Sequence, residues 1–310
     1  MRAQSIPGIE QSSRTPAPHW GSGELEAVVC PLCGPARGVL PRFSFDPFRV
    51  VECRNCGLRF LSPRLTQASN LGLYQGEAYY RSTSQGRGYD QYLGVKENWR
   101  KTFAGRLRLI NRYRSSGRVL DVGCGPGFFL EVAAEMGYEP WGVDPSDYIV
   151  RVAQKQFGKQ ILEGTIETVD LPLGSFDIIG VFDTFEHIYD PLAFLDRASQ
   201  LLTDDGILAI TTPNTASPLA LISGKRWVSL KIPEHVFYWS PKTITRAMAD
   251  RFKIMEIRRA GQYATLGFLF GRLFGLRLDS QGPMKAVLKL LHRASIYSDN
   301  GSMTVIAAKK

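Results

Sequence analysis

The chain has 310 residues, of which 44% are hydrophobic and 22% charged, and its formal net charge is +9. This composition excludes a fibrous, low-complexity or wholly disordered chain, because it supplies enough apolar side chains for a large core. The first twenty residues contain no apolar h-region, and the longest uncharged stretch, 206–224, is interrupted by prolines. We therefore expect neither a signal peptide nor a spanning helix, and we predict a cytoplasmic protein with reduced thiols.

Four of the five cysteines lie near the N terminus in the pattern C-x2-C-x19-C-x2-C, with Cys30, Cys33, Cys53 and Cys56 as its members. A two-residue spacer lets both thiolates of a pair face one ion, and four thiolates complete a closed tetrahedral shell. The pattern predicts a structural zinc ribbon over 26–63, preceded by a flexible tail at 1–25. A tyrosine-rich connector follows at 64–95, and its tyrosines, Tyr74 among them, either line a substrate entrance or pack one module against the next.

Short apolar runs alternate with helical stretches from residue 118 onward. The apolar runs predict strands at 118–122, 140–143, 160–162, 176–182, 206–212, 252–259 and 302–308. The helical stretches predict helices at 128–136, 146–157, 191–202 and 241–250. This alternation predicts an α/β domain over 96–310, in which a largely parallel sheet carries helices on both faces, with a helical insertion at 261–300. Ligands of such sheets bind at the carboxyl ends of the strands.

The first strand of this domain leads into a glycine-rich loop, Asp121-Val-Gly-Cys-Gly-Pro-Gly127. Glycines at these positions remove side chains where a backbone approaches a ligand. The order G-x-G-x-G differs from the dinucleotide fingerprint, and the Lys-Ser/Thr pair of a Walker A loop is missing. The second strand ends at Asp144, where an acidic side chain accepts both hydroxyls of a ribose.

Together with the run 174–187, these residues resemble class I S-adenosylmethionine-dependent methyltransferases, over about residues 96–260 and the final strand. The resemblance implies a Rossmann-like methyltransferase sheet, with Asp121 near the amino group of the cofactor and Asp144 on its ribose. It also implies that the glycine loop lies under the methionine part. The cofactor residues implied are Asp121, Gly123, Cys124, Gly125, Gly127, Phe128, Asp144 and Pro145, with Ile166 and Glu167 beside the adenine and Asp183 and Thr184 beside the sulfonium. Another Rossmann-like protein with similar turn residues is the alternative.

A finer resemblance concerns the zinc ribbon, the run 183–187, the segment 212–214 and the segment 233–241. Together they are similar to methyltransferases of bacterial polysaccharide and secondary-metabolite pathways. The chain is too short for the extra C-terminal domain of the sugar C-methyltransferases that share such a zinc module, which argues against carbon methylation. The resemblance implies O-methylation of a sugar-containing (glycan) or other small-metabolite acceptor.

An alcohol acceptor needs a nearby group to take its proton. His187 follows the strand at 176–182 and His235 lies in the loop after 206–212, so both belong to the carboxyl edge of the sheet. We predict His235 as the general base and His187 as the alternative, although a structural role fits either one. The run Asp183-x-x-Glu186-His187 resembles the metal-linked E-x-x-E-H run of ubiquinone-pathway O-methyltransferases. Its first position is Asp instead of Glu, which argues against a bound Mg²⁺ and leaves it an open alternative.

Basic segments flank an acidic middle segment. Residues 96–118 predict a helix with one apolar face, and its basic remainder, Arg106 included, forms either a solvated face or a phosphate-binding surface. The insertion 261–300 is apolar and basic, so it either caps the active-site mouth or makes peripheral contact with the inner face of a membrane. The zinc ribbon and the basic flanks also support an rRNA or tRNA methyltransferase as the second hypothesis. A non-catalytic, cofactor-binding regulatory protein is the third.

Overall fold

The computed structural model describes residues 20–35, 38–75, 96–267, 291 and 294–310. The chain begins with a small module of antiparallel strands: β1 (Leu25–Glu26), β2 (Val39–Phe45), β3 (Phe48–Cys53), β4 (Arg59–Leu61) and β5 (Arg64–Leu65), followed by α1 (Gln67–Gly72). β1 pairs with β5, and β2, β3 and β4 pair in chain order. The tail predicted at 1–25 is therefore too long, since β1 already begins at Leu25. Residues 1–19 and most of the connector, 76–95, lie outside the described residues.

The remaining elements build the larger part of the protein. They are α2 (Lys96–Ile110), β6 (Arg118–Val122), α3 (Phe128–Glu135), β7 (Glu139–Asp144), α4 (Asp147–Phe157), β8 (Ile161–Glu163), β9 (Phe176–Phe182), α5 (Pro191–Leu201), β10 (Leu202–Pro213), α6 (Pro218–Ser223), β11 (Phe237–Tyr238), α7 (Pro241–Met248), β12 (Phe252–Thr265) and β13 (Ser295–Lys309). Seven strands form one sheet in the order β12-β13-β10-β9-β6-β7-β8. The five strands from β10 to β8 are parallel, whereas β13 is antiparallel to both of its neighbours.

Alternate residues of the central strands pack on opposite faces of this sheet. Val119 and Ile178 join the core beneath α2, α3 and α4, and Leu120 and Ile179 join the core beneath α5 and α7. Strands buried on both faces need continuous apolar runs, which explains why these strands could be predicted from the sequence. The helices begin where predicted because their caps are local: Ser240, for example, accepts the amide of Thr243 with proline at the first helical position. The predicted fold class is confirmed.

Several predicted boundaries differ from the structure, and β10 for example begins at Leu202 rather than at residue 206. β12 continues to Thr265 and β13 begins at Ser295, so the insertion predicted at 261–300 starts later and ends earlier. Most of the shortened insertion lies outside the described residues. α2 ends at Ile110, before the end of the predicted helical stretch. In the described part of the chain, no helix is both long and apolar enough to cross a membrane.

The N-terminal module is joined to the larger part by a strand pair. β11 lies in the loop region after β10 and pairs antiparallel with β4, so that the module sheet has the order β11-β4-β3-β2. The Leu61 amide also donates to the Val236 carbonyl at 2.9 Å. Phe60 of β4 belongs to the same core cluster as Phe185 and Trp239. The module and the larger part therefore share one core.

Candidate active site

A cavity of about 430 Å³ lies at the carboxyl edge of the parallel strands. Ten of the predicted cofactor residues line it: Asp121, Gly123, Cys124, Gly125, Asp144, Pro145, Ile166, Glu167, Asp183 and Thr184. Gly127 and Phe128 do not. Gly127 caps the start of α3 with a φ of 87°, and Phe128 is buried in the core. These two residues shape the loop that the others present to the cavity.

The glycine loop folds back onto the end of β7. The amides of Gly123 and Cys124 both donate to the Val143 carbonyl, at 2.8 and 3.1 Å. Gly123 has a φ of 76°, and a Cβ there would lie 2.4 Å from Oγ1 of Thr184. Only glycine combines this backbone conformation with so close a neighbour. The result is bare backbone on the cavity wall, which fits close contact with a ligand.

Two buried carboxyl groups face the same cavity. Asp144 accepts the amides of Gly125 and Ser146, at 2.9 and 3.0 Å. Burial raises the pKa of Asp144 to about 6 in spite of these bonds. Burial and the charge of Asp144 raise the pKa of Asp121 to about 8, although the charge of Arg106 opposes the shift. Burial removes water from both carboxyl groups, which is unfavourable for their ionised forms. A ligand with hydroxyls and a positive charge would compensate for the lost water, so the two groups fit such a ligand.

Arg106 reaches this site from α2, and sequence reasoning missed it. Its side chain is 6% exposed and its Nη2 donates to Oδ2 of Asp183 at 2.9 Å. The guanidinium carbon lies 5.3 Å from the ring centroids of both Phe103 and Phe182. Its Nε and Nη1 are buried and have no hydrogen-bond partner among the described residues. The prediction of a solvated or phosphate-binding face is therefore wrong for Arg106. Its burial could have been predicted from its place three residues after Phe103, which puts it beside the apolar face of the helix.

Of the two candidate histidines, the structure places His187 on the cavity wall. His187 ends a 3₁₀ turn, and its Nδ1 lies 2.8 Å from the Tyr74 hydroxyl and 3.0 Å from the Glu234 carbonyl. His235 is 3% exposed, is not among the residues that line the cavity, and packs edge-on behind His187 with ring centroids 4.6 Å apart. Its Nδ1 donates to the Ser229 carbonyl at 2.9 Å. His187 is thus the histidine that a cavity ligand can reach.

The surroundings keep both imidazoles neutral. Burial, together with the charge of Lys231, lowers the pKa of His187 to about 3. Burial lowers the pKa of His235 well below its ordinary value, with His187 and Lys231 adding to the effect. A neutral imidazole has one nitrogen able to accept a proton. Since both Nδ1 atoms face carbonyl oxygens, which only accept, that nitrogen is Nε2 in each ring.

Glu186 completes a buried group with the two histidines. It is 1% exposed, and its Oε2 accepts the Thr212 hydroxyl at 2.8 Å. Burial and the charge of Asp183 raise the pKa of Glu186 to about 8. Glu186, His187 and His235 offer ligand atoms within 4.8 Å of one another, whereas Asp183 is paired with Arg106 instead. Two imidazoles and one carboxylate do not suit Mg²⁺, which prefers oxygen ligands, so the residues present do not fit the Mg²⁺ alternative.

The four N-terminal cysteines do come together. Their sulfurs lie within 4.8 Å of one another, and those of Cys30 and Cys56 are 3.6 Å apart. Four thiolates at about 2.3 Å around one zinc ion would be separated by about 3.8 Å, so the cluster fits that ion. The amides of Gly34 and Gly57 close the two turns onto the carbonyls of Cys30 and Cys53, at 2.8 and 2.9 Å. Both glycines have positive φ, as these turns require.

The chain is similar to known methyltransferases. The family model described as a methyltransferase domain matches residues 95–251. The ubiquinone biosynthesis O-methyltransferase of Azorhizobium caulinodans is 34% identical over 168 residues, which are 52% of this chain and 62% of that protein. The protein of the same name from Bradyrhizobium diazoefficiens is 30% identical over 144 residues, which are 43% and 56%. That from Idiomarina loihiensis is 33% identical over 177 residues, which are 53% and 70%.

The chain thus spans less than two thirds of the first two relatives. A solved S-adenosylmethionine-dependent methyltransferase from Archaeoglobus fulgidus overlaps 71% of this chain and 100% of its own, with 23% identity and a TM-score of 0.49. The family match covers half of the chain, and the Idiomarina relative is matched over 70% of its length. The chain belongs to the methyltransferase-domain family.

Proposed function

We propose that this chain is an S-adenosylmethionine-dependent O-methyltransferase that acts on a small hydroxylated acceptor. One observation carries the proposal: a single cavity is lined both by the cofactor residues, such as Asp121, Gly123 and Asp144, and by His187. The names of the relatives, which are O-methyltransferases, support methylation at oxygen. The assignment of each residue to the cofactor is part of this proposal.

The acceptor we infer is a phenol. Aromatic side chains supply much of the cavity wall, namely Tyr74, Trp99, Phe103, Phe182, Tyr189 and Phe194. Such a wall fits a flat, apolar ring. The sugar-containing acceptor predicted from the sequence gains no support from this lining.

The reaction needs little beyond positioning. The cofactor supplies a methyl group already activated on a sulfonium. With that cofactor bound, the phenol oxygen would bond to the methyl carbon as the carbon–sulfur bond breaks, and the electron pair of the broken bond would stay on sulfur. His187 takes the phenol proton on Nε2, because its Nδ1 proton is held by the Glu234 carbonyl. Lys231, which also lines the cavity, contributes a positive charge that favours the developing phenolate.

The test is transfer of a labelled methyl group from S-adenosylmethionine to catechol, with a free sugar as the competing acceptor. We expect label in catechol, and a loss of kcat of about 100-fold in His187→Gln with cofactor affinity changed less than about twofold. His235→Gln is the matched control and should lose less, since His235 lies behind His187. Activity of His187→Gln within about tenfold of the wild type would show that His187 is not the base. Label in the sugar alone would overturn the phenol.

The cysteine cluster carries the second part of the proposal, a structural zinc ion bound by Cys30, Cys33, Cys53 and Cys56. Metal analysis of the purified protein should find one zinc per chain, and none after all four cysteines are replaced by serine.

Nucleic acid as a substrate and membrane contact through 261–300 stay predictions from the sequence. Labelled host extract, fractionated with and without ribonuclease, tests the first: RNase-sensitive label would move the protein to the RNA-modifying class.

A further inference from the structure

The described start of the connector, 64–75, lies against the same cavity. Thr66 caps α1 by accepting the Ser69 amide, and four residues of this segment line the cavity: Gln67, Asn70, Leu71 and Tyr74. The segment thus supplies a wall that the parallel sheet does not provide. It also supplies a side-chain hydroxyl within hydrogen-bond distance of His187, that of Tyr74.

We propose that Tyr74 is the positioning residue for His187, and that the N-terminal module is therefore a working part of the catalytic site. This inference rests on the proposed role of His187. The Tyr74 hydroxyl lies 2.8 Å from Nδ1, and the two rings meet edge-on at 86° with centroids 5.9 Å apart. The Glu234 carbonyl touches the same nitrogen at 3.0 Å. With one contact alone, the His187 ring could rotate around that contact. The Tyr74 hydroxyl, the Glu234 carbonyl and the edge-on Tyr74 ring together fix the plane of the imidazole.

Tyr74 is itself held from two sides of the cavity. Its carbonyl accepts the Ser146 hydroxyl at 2.9 Å, and the next residue, Gln75, donates to the Pro145 carbonyl at 3.1 Å. Both partners follow β7, the strand that ends in Asp144. On the other side the buried Asn70 donates to the Pro233 carbonyl at 3.2 Å. These bonds tie the position of Tyr74 to the proposed ribose site and to the loop that carries Glu234.

The module holds that loop by a second route. β4 pairs with β11 directly after the loop, and Val236 is bonded on both sides: its carbonyl accepts the Leu61 amide and its amide donates to the Glu186 carbonyl, both at 2.9 Å. The module thus borders both partners of Nδ1, the Tyr74 hydroxyl through the connector and the Glu234 carbonyl through β4. Placement of the proton-accepting Nε2 thus depends on the Glu234 contact within the larger domain and on the Tyr74 contact that the connector adds.

The test compares Tyr74→Phe with Tyr113→Phe, using labelled methyl transfer to catechol. Tyr113 is a matched control because it loses the same atom, a hydroxyl bonded to Glu256 at 2.7 Å, away from the cavity. We expect Tyr74→Phe to lower kcat by about 10- to 100-fold while the KM for S-adenosylmethionine changes less than about twofold. Tyr113→Phe should stay within about twofold of the wild type. An unchanged kcat in Tyr74→Phe would overturn the inference.

A double variant separates positioning from a general structural effect. If Tyr74 acts through His187, then adding Tyr74→Phe to His187→Gln causes no further loss of kcat. The same fold loss in both backgrounds would overturn the inference. With 4-nitrocatechol, a more acidic phenol, the loss in Tyr74→Phe should shrink, because less help with the proton is needed. If the wild type transfers no methyl group, or if His187→Gln keeps its kcat, the proposed function is wrong. If His187→Gln loses kcat as expected but Tyr74→Phe does not, only the inference about Tyr74 is wrong.

Discussion

Binding of S-adenosylmethionine should release a proton from Asp121. This carboxyl group is 3% exposed, and burial and the charge of Asp144 raise its pKa to about 8, against the opposing charge of Arg106. In the free protein it is therefore mostly protonated at neutral pH. The family resemblance puts Asp121 near the cofactor's ammonium group, which favours the ionised carboxylate. Cofactor affinity should then rise with pH up to about pH 8.

The size of this effect follows from the ionised fraction of Asp121. For a group with a pKa of about 8, that fraction grows more than tenfold between about pH 6 and about pH 7.5, which is worth about 2 kcal/mol of binding free energy. Asp144, with a pKa of about 6, adds about another twofold at the acid end. Above about pH 8 the cofactor's amino group loses its own proton, so the gain ends there.

Isothermal titration calorimetry measures the affinity for S-adenosylmethionine at the two pH values. Repeating the titration in buffers of different ionisation enthalpy gives the number of protons released on binding. Asp121→Asn should bind more weakly at pH 7.5 and lose most of the pH dependence. 5′-Methylthioadenosine, which lacks the amino acid part, should bind without releasing the proton of Asp121. Equal affinity of the wild type at both pH values, or equal proton release by Asp121→Asn, would refute the placement of Asp121 beside the ammonium.

The same shift has a consequence for folding. Between about pH 4 and about pH 8 the native protein keeps a proton on Asp121 that the unfolded chain has lost, so the free energy of unfolding of the cofactor-free protein falls as pH rises through this window. Asp121→Asn removes this contribution. Its melting temperature should therefore decline less steeply with pH than that of the wild type, and parallel declines would contradict the assigned pKa.

Three further predictions concern the loop, the cysteine cluster and the buried histidine group. Gly123→Ala, whose Cβ would meet Thr184 at 2.4 Å, should weaken cofactor binding by more than about 100-fold, which is about 2.7 kcal/mol, while Gly105→Ala, with no atom closer than 3.9 Å, should bind normally in the same calorimetry. Cys53→Ser should lose the bound zinc and lower the melting temperature by more than about 5 °C, and an unchanged metal content would contradict the zinc site. Added Mg²⁺ should leave methyl transfer unchanged, since the group around Glu186 lacks the oxygen ligands of that ion; a several-fold rise would contradict this.

Those parts of the site that depend on neighbouring residues in the chain were predictable from the sequence. The glycine loop follows β6 and Asp144 ends β7, and an apolar run shows where each strand ends. Gly123 and Asp144 then meet because parallel strands place their carboxyl ends at one edge. The cysteine pattern is equally local, since each pair sits in a turn closed by its own backbone bonds. In these cases short-range sequence sets the geometry.

The ranking of the histidines was not predictable in this way. His187 and His235 both follow strands that end at the same edge, so topology alone makes them equivalent. They differ in access to the cavity, because the ring of His235 lies behind that of His187. The position of His187 depends on contacts with Glu234, 47 residues away in the chain, and with Tyr74, 113 residues away. A burial pattern read along one segment contains no information about such contacts. Arg106 differs again, since its position on α2 was predicted but its burial and its partner, Asp183, were not.

The predicted boundary between zinc ribbon and methyltransferase domain shows the same limit on a larger scale. The cysteine spacing predicts a self-contained module, and its strands β2 to β4 do form in chain order. The fourth strand of its sheet, β11, is only Phe237–Tyr238, too short to show any period in the sequence, and it comes from the other side of the boundary. Because β11 lies directly after the loop with Glu234 and His235, a pairing that completes the module also fixes the loop beside the cavity. The division that is clear in the sequence is therefore crossed by a sheet that both sides build.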